Sequence, residues 1–201
     1  MKKGLLITVV ILAVVLIGGC NWYKGLQNGL NKSKNNVDKE WAQVQNVYQR
    51  RADLIPNLVA TVKAAAAHEE NTYVAVAEAR AKATQMNVNA SDLTPEKMQQ
   101  FQESQGQLSQ ALGKLLSIQE NYPQLQANQN FLALQAQLEG TENRITTERM
   151  NFNNAVQEYN TKVTNWPTSM IANSMGFKER PTFAADANAQ KAPQVSKDSQ
   201  F

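Results

Sequence analysis

The chain has 201 residues, with 20 Lys and Arg against 17 Asp and Glu, and it carries one cysteine and one histidine. That supply excludes an intrachain disulfide framework, a cysteine-based zinc site and a paired-histidine protease motif. With Lys2 and Lys3 set aside, 18 basic residues face 17 acidic ones, too even a balance for a phosphate-binding surface, and no nucleic-acid partner is expected.

Lys2 and Lys3 precede an apolar run over 5–17, which Gly18, Gly19 and Cys20 follow. A run of about 13 residues suits a signal-peptide core, whereas a spanning helix needs about 20. Extending the run to Tyr23 reaches the longer figure and places Trp22 and Tyr23 as interfacial aromatics. Ile17-Gly18-Gly19-Cys20 resembles the lipobox of bacterial lipoproteins, in which cleavage leaves an acylated cysteine at the new N-terminus. Two anchors stay open over 1–23: a lipoprotein leader with Cys20 lipidated, or a transmembrane helix in which Cys20 simply packs. Both attach the chain to a membrane, and the bulk is expected outside the cytoplasm.

Residues 24–36 hold Gly25, Gly29 and little periodicity, the pattern of a tether. From Val37 onward, Trp41, Val44, Tyr48, Ile55, Leu58 and Val62 recur at helical spacing, predicting one long helix over 37–84 with an alanine-rich second half. Pro56 lies well inside it. The ring removes a backbone donor and crowds the carbonyl of Ala52, at about 3 kcal/mol. Arg50, Arg51, Asp53 and Asn57 surround the proline and are the side chains available to take up the freed backbone groups.

After a break over 85–94, Thr94-Pro95-Glu96 starts a second helix: an N-cap oxygen, a proline at the first position and an acid facing the dipole. Met98, Phe101, Leu108, Leu112 and Leu115 form its stripe, and it should end before Pro123. Gly106, Ser109, Gly113 and Ser117 form a separate strip of small residues, read as a close helix crossing either inside the bundle, the favoured reading, or with another protein. Leu125, Leu132, Leu138, Ile145, Phe152, Val156, Tyr159, Val163 and Trp166 give the buried seam of a third helix ending near 165, with a short fourth over 168–175 or in the hinge at Pro123. Short connections make neighbours antiparallel, up-down-up, and the non-periodic residues 178–201 read as a mobile tail.

Arg50-Arg51-Ala52-Asp53-Leu54-Ile55-Pro56-Asn57-Leu58-Val59, with Thr61-Val62-Lys63, His68-Glu69, Ala79-Arg80-Ala81, Glu120-Asn121-Tyr122-Pro123, Leu138, Thr141, Glu142 and Tyr159-Asn160, closely resembles the LemA family of bacterial membrane-anchored proteins. The resemblance covers about 37–177. It implies an N-terminal anchor and an all-α, elongated, four-helix-bundle-like domain, and it implies no established enzymatic activity.

The residues themselves offer no evident catalytic engine. His68 lacks a partner one turn away, and Glu69, Glu70, Glu139, Glu142 and Glu148 lack the Glu-x-x-His pairs of a di-iron bundle, so no metal or cofactor is expected. The remaining constellation is Arg50, Arg51, Asp53 and Asn57, facing Glu142, Arg144 and Arg149 across the bundle. It reads either as an ionic layer fixing helix register or as a recognition surface. The function this favours is a non-catalytic interaction module that presents helix faces to another envelope protein or to itself. The competing readings are a subunit of an enzyme completed by a partner and an oligomeric coiled-coil spacer.

Overall fold

Leu30, Ser33, Val37, Trp41, Val44 and Tyr48 recur every three or four residues and are all buried, which puts one stripe of one helix against a core. In the computed structural model, which describes residues 2–86 and 88–184 without the side chains of Lys2, Lys3 and Leu5, this helix is α1, Lys2–Ala65. It runs unbroken from the apolar N-terminal segment into the bundle, so the tether expected over 24–36 is part of a rod. Gly25 and Gly29 each cost about 1 kcal/mol relative to alanine. Tertiary contact holds the segment helical nonetheless: Leu30 is fully buried, and the Ser33 hydroxyl donates to Gly29 O at 3.0 Å and accepts from Lys162 Nζ.

α1 stops at Ala65 rather than continuing to residue 84. A turn at 66–69 reverses the chain into α2, Glu70–Gln85. The carbonyls freed at this break find donors from elsewhere: Tyr73 Oη donates to Ala66 O, and Gln124 Nε2 donates to Ala65 O at 3.3 Å. Alanines favour helix but carry no large side chain that enforces a straight course. Folding back buries Tyr73, Val76, Ala79 and Ala83 instead.

α3, Pro95–Ser117, begins as its sequence foretells, with the Thr94 side chain accepting from Lys97 N at 3.3 Å. A single turn, α4 (Pro123–Gln126), leads to α5, Gln129–Thr164, whose N-cap Asn128 accepts from Asn130 N and Phe131 N. α6, Thr168–Ser174, closes the helical series. Cross-helix pairs fix the directions. Trp41 meets Val88 and Ala52 meets Arg80, so α2 runs antiparallel to α1. Trp41 meets Phe101 and Arg51 meets Ser109, so α3 runs parallel to α1, while Arg51–Glu142 and Ser33–Lys162 make α5 antiparallel. The break at 66–69 thus turns the expected three rods into an up-down-up-down bundle of four, all-α among the described residues.

The core divides in two. The half nearer the apolar segment gathers Leu30, Trp41, Tyr48, Phe101, Phe152, Tyr159 and Ile171, and the distal half gathers Ile55, Leu58, Val76, Leu108, Leu115, Phe131 and Leu138. Trp41 anchors the first, with ring centroids 5.3 Å from both Phe101 and Phe152 and its Nε1 donating to Val88 O at 2.7 Å.

Part of the expected tail is docked. Tyr159 Oη donates to Lys178 O (2.9 Å), Asn160 exchanges two hydrogen bonds with the Arg180 backbone (2.8 Å each), and Asn153 does the same with Phe183 (3.2 and 2.9 Å). The Phe183 ring is buried against Trp41 and Phe152. The remainder, 185–201, lies outside the described residues. The internal crossing expected of the strip of small residues does not form: Gly106 and Gly113 are exposed, and a methyl group added at either would meet nothing within 4 Å.

Burial, and then the negative charge of Glu69, pushes the Tyr73 phenol above its ordinary value. An acid whose folded-state pKa is raised stabilises the fold fully below its unfolded pKa, and that contribution disappears as pH rises through the folded value. Thermal unfolding of the detergent-solubilised chain should therefore show a midpoint that falls above about pH 10, and Tyr73→Phe should flatten that fall. An identical alkaline profile in the variant would refute the assignment.

Candidate functional site

The boundary between the two cores is a polar layer built on Arg51. Tyr48, Arg51, Ile55 and Leu58 follow one helical stripe of α1, so the stripe that buries apolar side chains above and below also carries Arg51 inward, to 1% exposure. Four of its five N–H groups are engaged. Nη1 donates to Ser109 Oγ and Glu142 Oε1, both at 2.9 Å, and Nη2 donates to Gln105 O at 3.3 Å and to Gln105 Oε1. Nε has no acceptor among the described residues, and the guanidinium carbon lies 5.1 Å from the centroid of the Tyr48 ring. Gln105 reaches on to Ala83 O at 3.4 Å. One cation therefore joins α1 to α3 and α5, and through Gln105 to α2.

Electrostatics sets what this layer can do. Moving a guanidinium out of water costs several kcal/mol, and one carboxylate with good geometry plus neutral acceptors is needed to offset it. Glu142 supplies the carboxylate from α5 while its own side chain stays 47% exposed. Sliding α5 by one turn would put Leu138 or Thr146 in the place of Glu142 and leave the cation without its carboxylate, so the layer penalises alternative registers. Beside it, α1, α2 and α3 enclose an open groove of about 240 Å³, with Tyr48 and Phe101 in its walls and the side chains of Gln45, Gln49 and Gln105 along it.

Of the residues singled out in sequence, Arg51 and Glu142 come together. Arg50, Asp53 and Asn57 are exposed on α1, where Gln49 Nε2 donates to Asp53 Oδ1 at 2.8 Å. Arg144 is exposed, and Arg149 turns to the docked C-terminal segment, over the Phe183 ring at 4.8 Å. Cys20 is exposed on the apolar part of α1, and His68 is exposed at the 66–69 turn. Among the described residues, no three His, Cys, Asp or Glu side chains converge as a metal site.

The residue that answers the proline was not among those expected. Pro56 has no N–H to give the carbonyl four residues earlier, Ala52 O, and Ala52 is buried. Arg80 Nε, projecting from α2, donates to it at 2.8 Å. The defect in α1 thus becomes a cross-helix bond. The sequence signal was available in the acceptor, which the i to i−4 rule names, and not in the donor, which sits 28 residues away.

Arg80→Ala should therefore cost about 1–3 kcal/mol, the penalty of an unsatisfied buried carbonyl. In a Pro56→Ala background, where residue 56 regains its N–H, the same substitution should cost much less. A double-mutant cycle on thermal unfolding measures the coupling; strictly additive effects would contradict the assignment.

The LemA family model matches residues 40–196. The magnetosome proteins MamQ 1 and MamQ 2 of Paramagnetospirillum magneticum are each 35% identical over 78 residues, covering 39% of this chain and 29% of the relative. MamQ of Magnetospirillum gryphiswaldense is 36% identical over 73 residues, or 36% of this chain and 27% of the relative. The chain therefore spans less than a third of these relatives' length. The motifs that carried the family resemblance converge in space: Arg51, Pro56, Arg80 and Glu142 at the polar layer, and Glu69 with Tyr122, 3.2 Å apart, at the distal turn. With most of its length matched and one N-terminal helix long and apolar enough to cross a membrane, the chain belongs to the LemA family.

Proposed function

We propose that the protein is a non-catalytic, membrane-anchored interaction module of the bacterial envelope, its bundle held outside the cytoplasm on a rigid stalk and offered to another membrane or envelope protein. The observation that carries this reading is the continuity of α1: the helix that is lipid-compatible at one end supplies a wall of both cores at the other. Rigid attachment suits a presenting function. The Arg51 layer supports the same reading, because the polar residues best placed for chemistry are consumed in holding four helices in register. What remains outward is a polar helix face with Arg50, Asp53 and Asn57, and the unpacked strip of α3 with Gly106 and Gly113.

The anchor takes one of two forms, and the mass of the membrane-bound species decides between them. An intact N-terminus means a spanning helix; an acylated Cys20 as the first residue means a lipoprotein.

A photo-crosslinking side chain at Asn57 or at Gly113, introduced in cells, should yield a discrete adduct with one membrane or envelope protein from at least one position, and none from buried Leu108. Absence of adducts from both positions, together with a hydrolytic activity of the purified chain that Asp53→Ala abolishes, would replace this reading with an enzymatic one.

A further inference from the structure

Outside the apolar part of α1, the two most exposed large apolar side chains among the described residues are Trp166, at 78%, which lies past the end of α5 and not in the buried seam expected of it, and Met170, at 67%. Both belong to one corner, where α5 ends and α6 begins. α6 buries its opposite side: Ile171 and Ala172 belong to the same cluster as Leu30, with Leu26 at its margin. The corner thus sits at the end of the bundle from which the apolar segment of α1 emerges, with its greasiest groups turned to solvent.

The height of this corner follows from register. Lys162 Nζ donates to Ser33 Oγ across antiparallel helices and α5 ends two residues later at Thr164, so the chain leaves α5 for the corner near the level of residue 31 of α1. Tyr23 is eight residues below that level, or about 12 Å at 1.5 Å per residue. Trp22 and Tyr23 are exposed where the apolar run ends, the place expected of interfacial aromatics. The headgroup layer is about 5–7 Å deep on each side of the hydrocarbon. The length of an indole closes much of the remaining gap, and an ordinary tilt of about 20° lowers one side of the bundle further. Since α1 has no break between the two levels, the corner cannot drift away from the surface as it could on a flexible tether. Exposed Lys24 on the intervening stretch adds charge suited to anionic headgroups.

We propose that Trp166 and Met170 form a second membrane contact, inserting into the lipid headgroup layer and fixing the tilt of the bundle on its anchor. The proposal rests on the N-terminal anchor of the preceding section, in its form as a spanning helix continuous with the bundle. A tryptophan with a polar N–H and a flexible thioether are side chains that suit the boundary between water and acyl chains.

Tryptophan fluorescence of the full chain in vesicles of phosphatidylethanolamine and phosphatidylglycerol tests it. Trp41 is buried and serves as a constant background. In Trp22→Phe, Trp166 emission should be quenched by lipids brominated near the headgroup end of the acyl chain and should lose several-fold in its quenching by aqueous acrylamide. Adding Met170→Glu should reverse part of both changes. Trp166→Phe reports the anchor through Trp22. Lipid quenching of Trp22 with Trp166 fully open to acrylamide would overturn the second contact and leave the anchor standing. Lipid quenching of neither would remove the anchor and the second contact with it. Trp166 shielded from acrylamide yet untouched by brominated lipid would mean that a second copy covers the corner, which also overturns the proposal.

Discussion

The structure depends on a single constraint: one helix serves two solvents. The first part of α1 exposes Leu6, Ile7, Val9 to Leu12 and Val14 to Ile17 to more than half their area, as only a lipid environment or removal would justify, while from Leu30 onward the same helix buries a stripe on which both cores are built. No loop decouples the two parts. The orientation of the bundle relative to its anchor is therefore a property of backbone hydrogen bonds, each repeated every residue, and not of a linker's entropy.

A helix asked to run this far carries a defect, and the way the defect is absorbed explains the middle of the molecule. Pro56 frees the carbonyl of Ala52, the residue next to Arg51 where that side chain enters the core. Arg80 from α2 takes the carbonyl, and Gln105, Ser109 and Glu142 from α3 and α5 take the guanidinium. Two adjacent irregularities of α1 thus recruit all three other rods. An apolar residue in place of Arg51 would bury as well, and such replacements are often stabilising. What the cation adds is a penalty for every register but one.

Much of this was legible in the residues. Helical period alone gives an all-α bundle, and the phase of α1 separates Arg51, in line with Tyr48 and Ile55, from Arg50, Asp53 and Asn57, which fall off the stripe. The rod through 24–36 was hidden because Gly25 and Gly29 weaken propensity, although Leu26, Leu30 and Ser33 extend the stripe of Val37 and Trp41 at the same spacing. Non-local partners account for the rest. The turn at 66–69 survives because Tyr73 and Gln124 satisfy its carbonyls, the Ala52 carbonyl waits on Arg80, and Phe183 gains its place from Asn153 and an aromatic cluster rather than from any period of its own. Apart from Tyr73 and Ala66, seven residues apart, no local window of sequence contains both halves of such pairs.

Hydrogen exchange of the full chain in a bilayer mimetic addresses the continuity of α1 most directly. Amides of 26–36 should exchange as slowly as those of 37–48, because they belong to one hydrogen-bonded helix docked on α5 and α6. Exchange over 26–36 at the rate of an unstructured segment, against protected amides on both sides, would show a flexible joint between anchor and bundle and contradict the account.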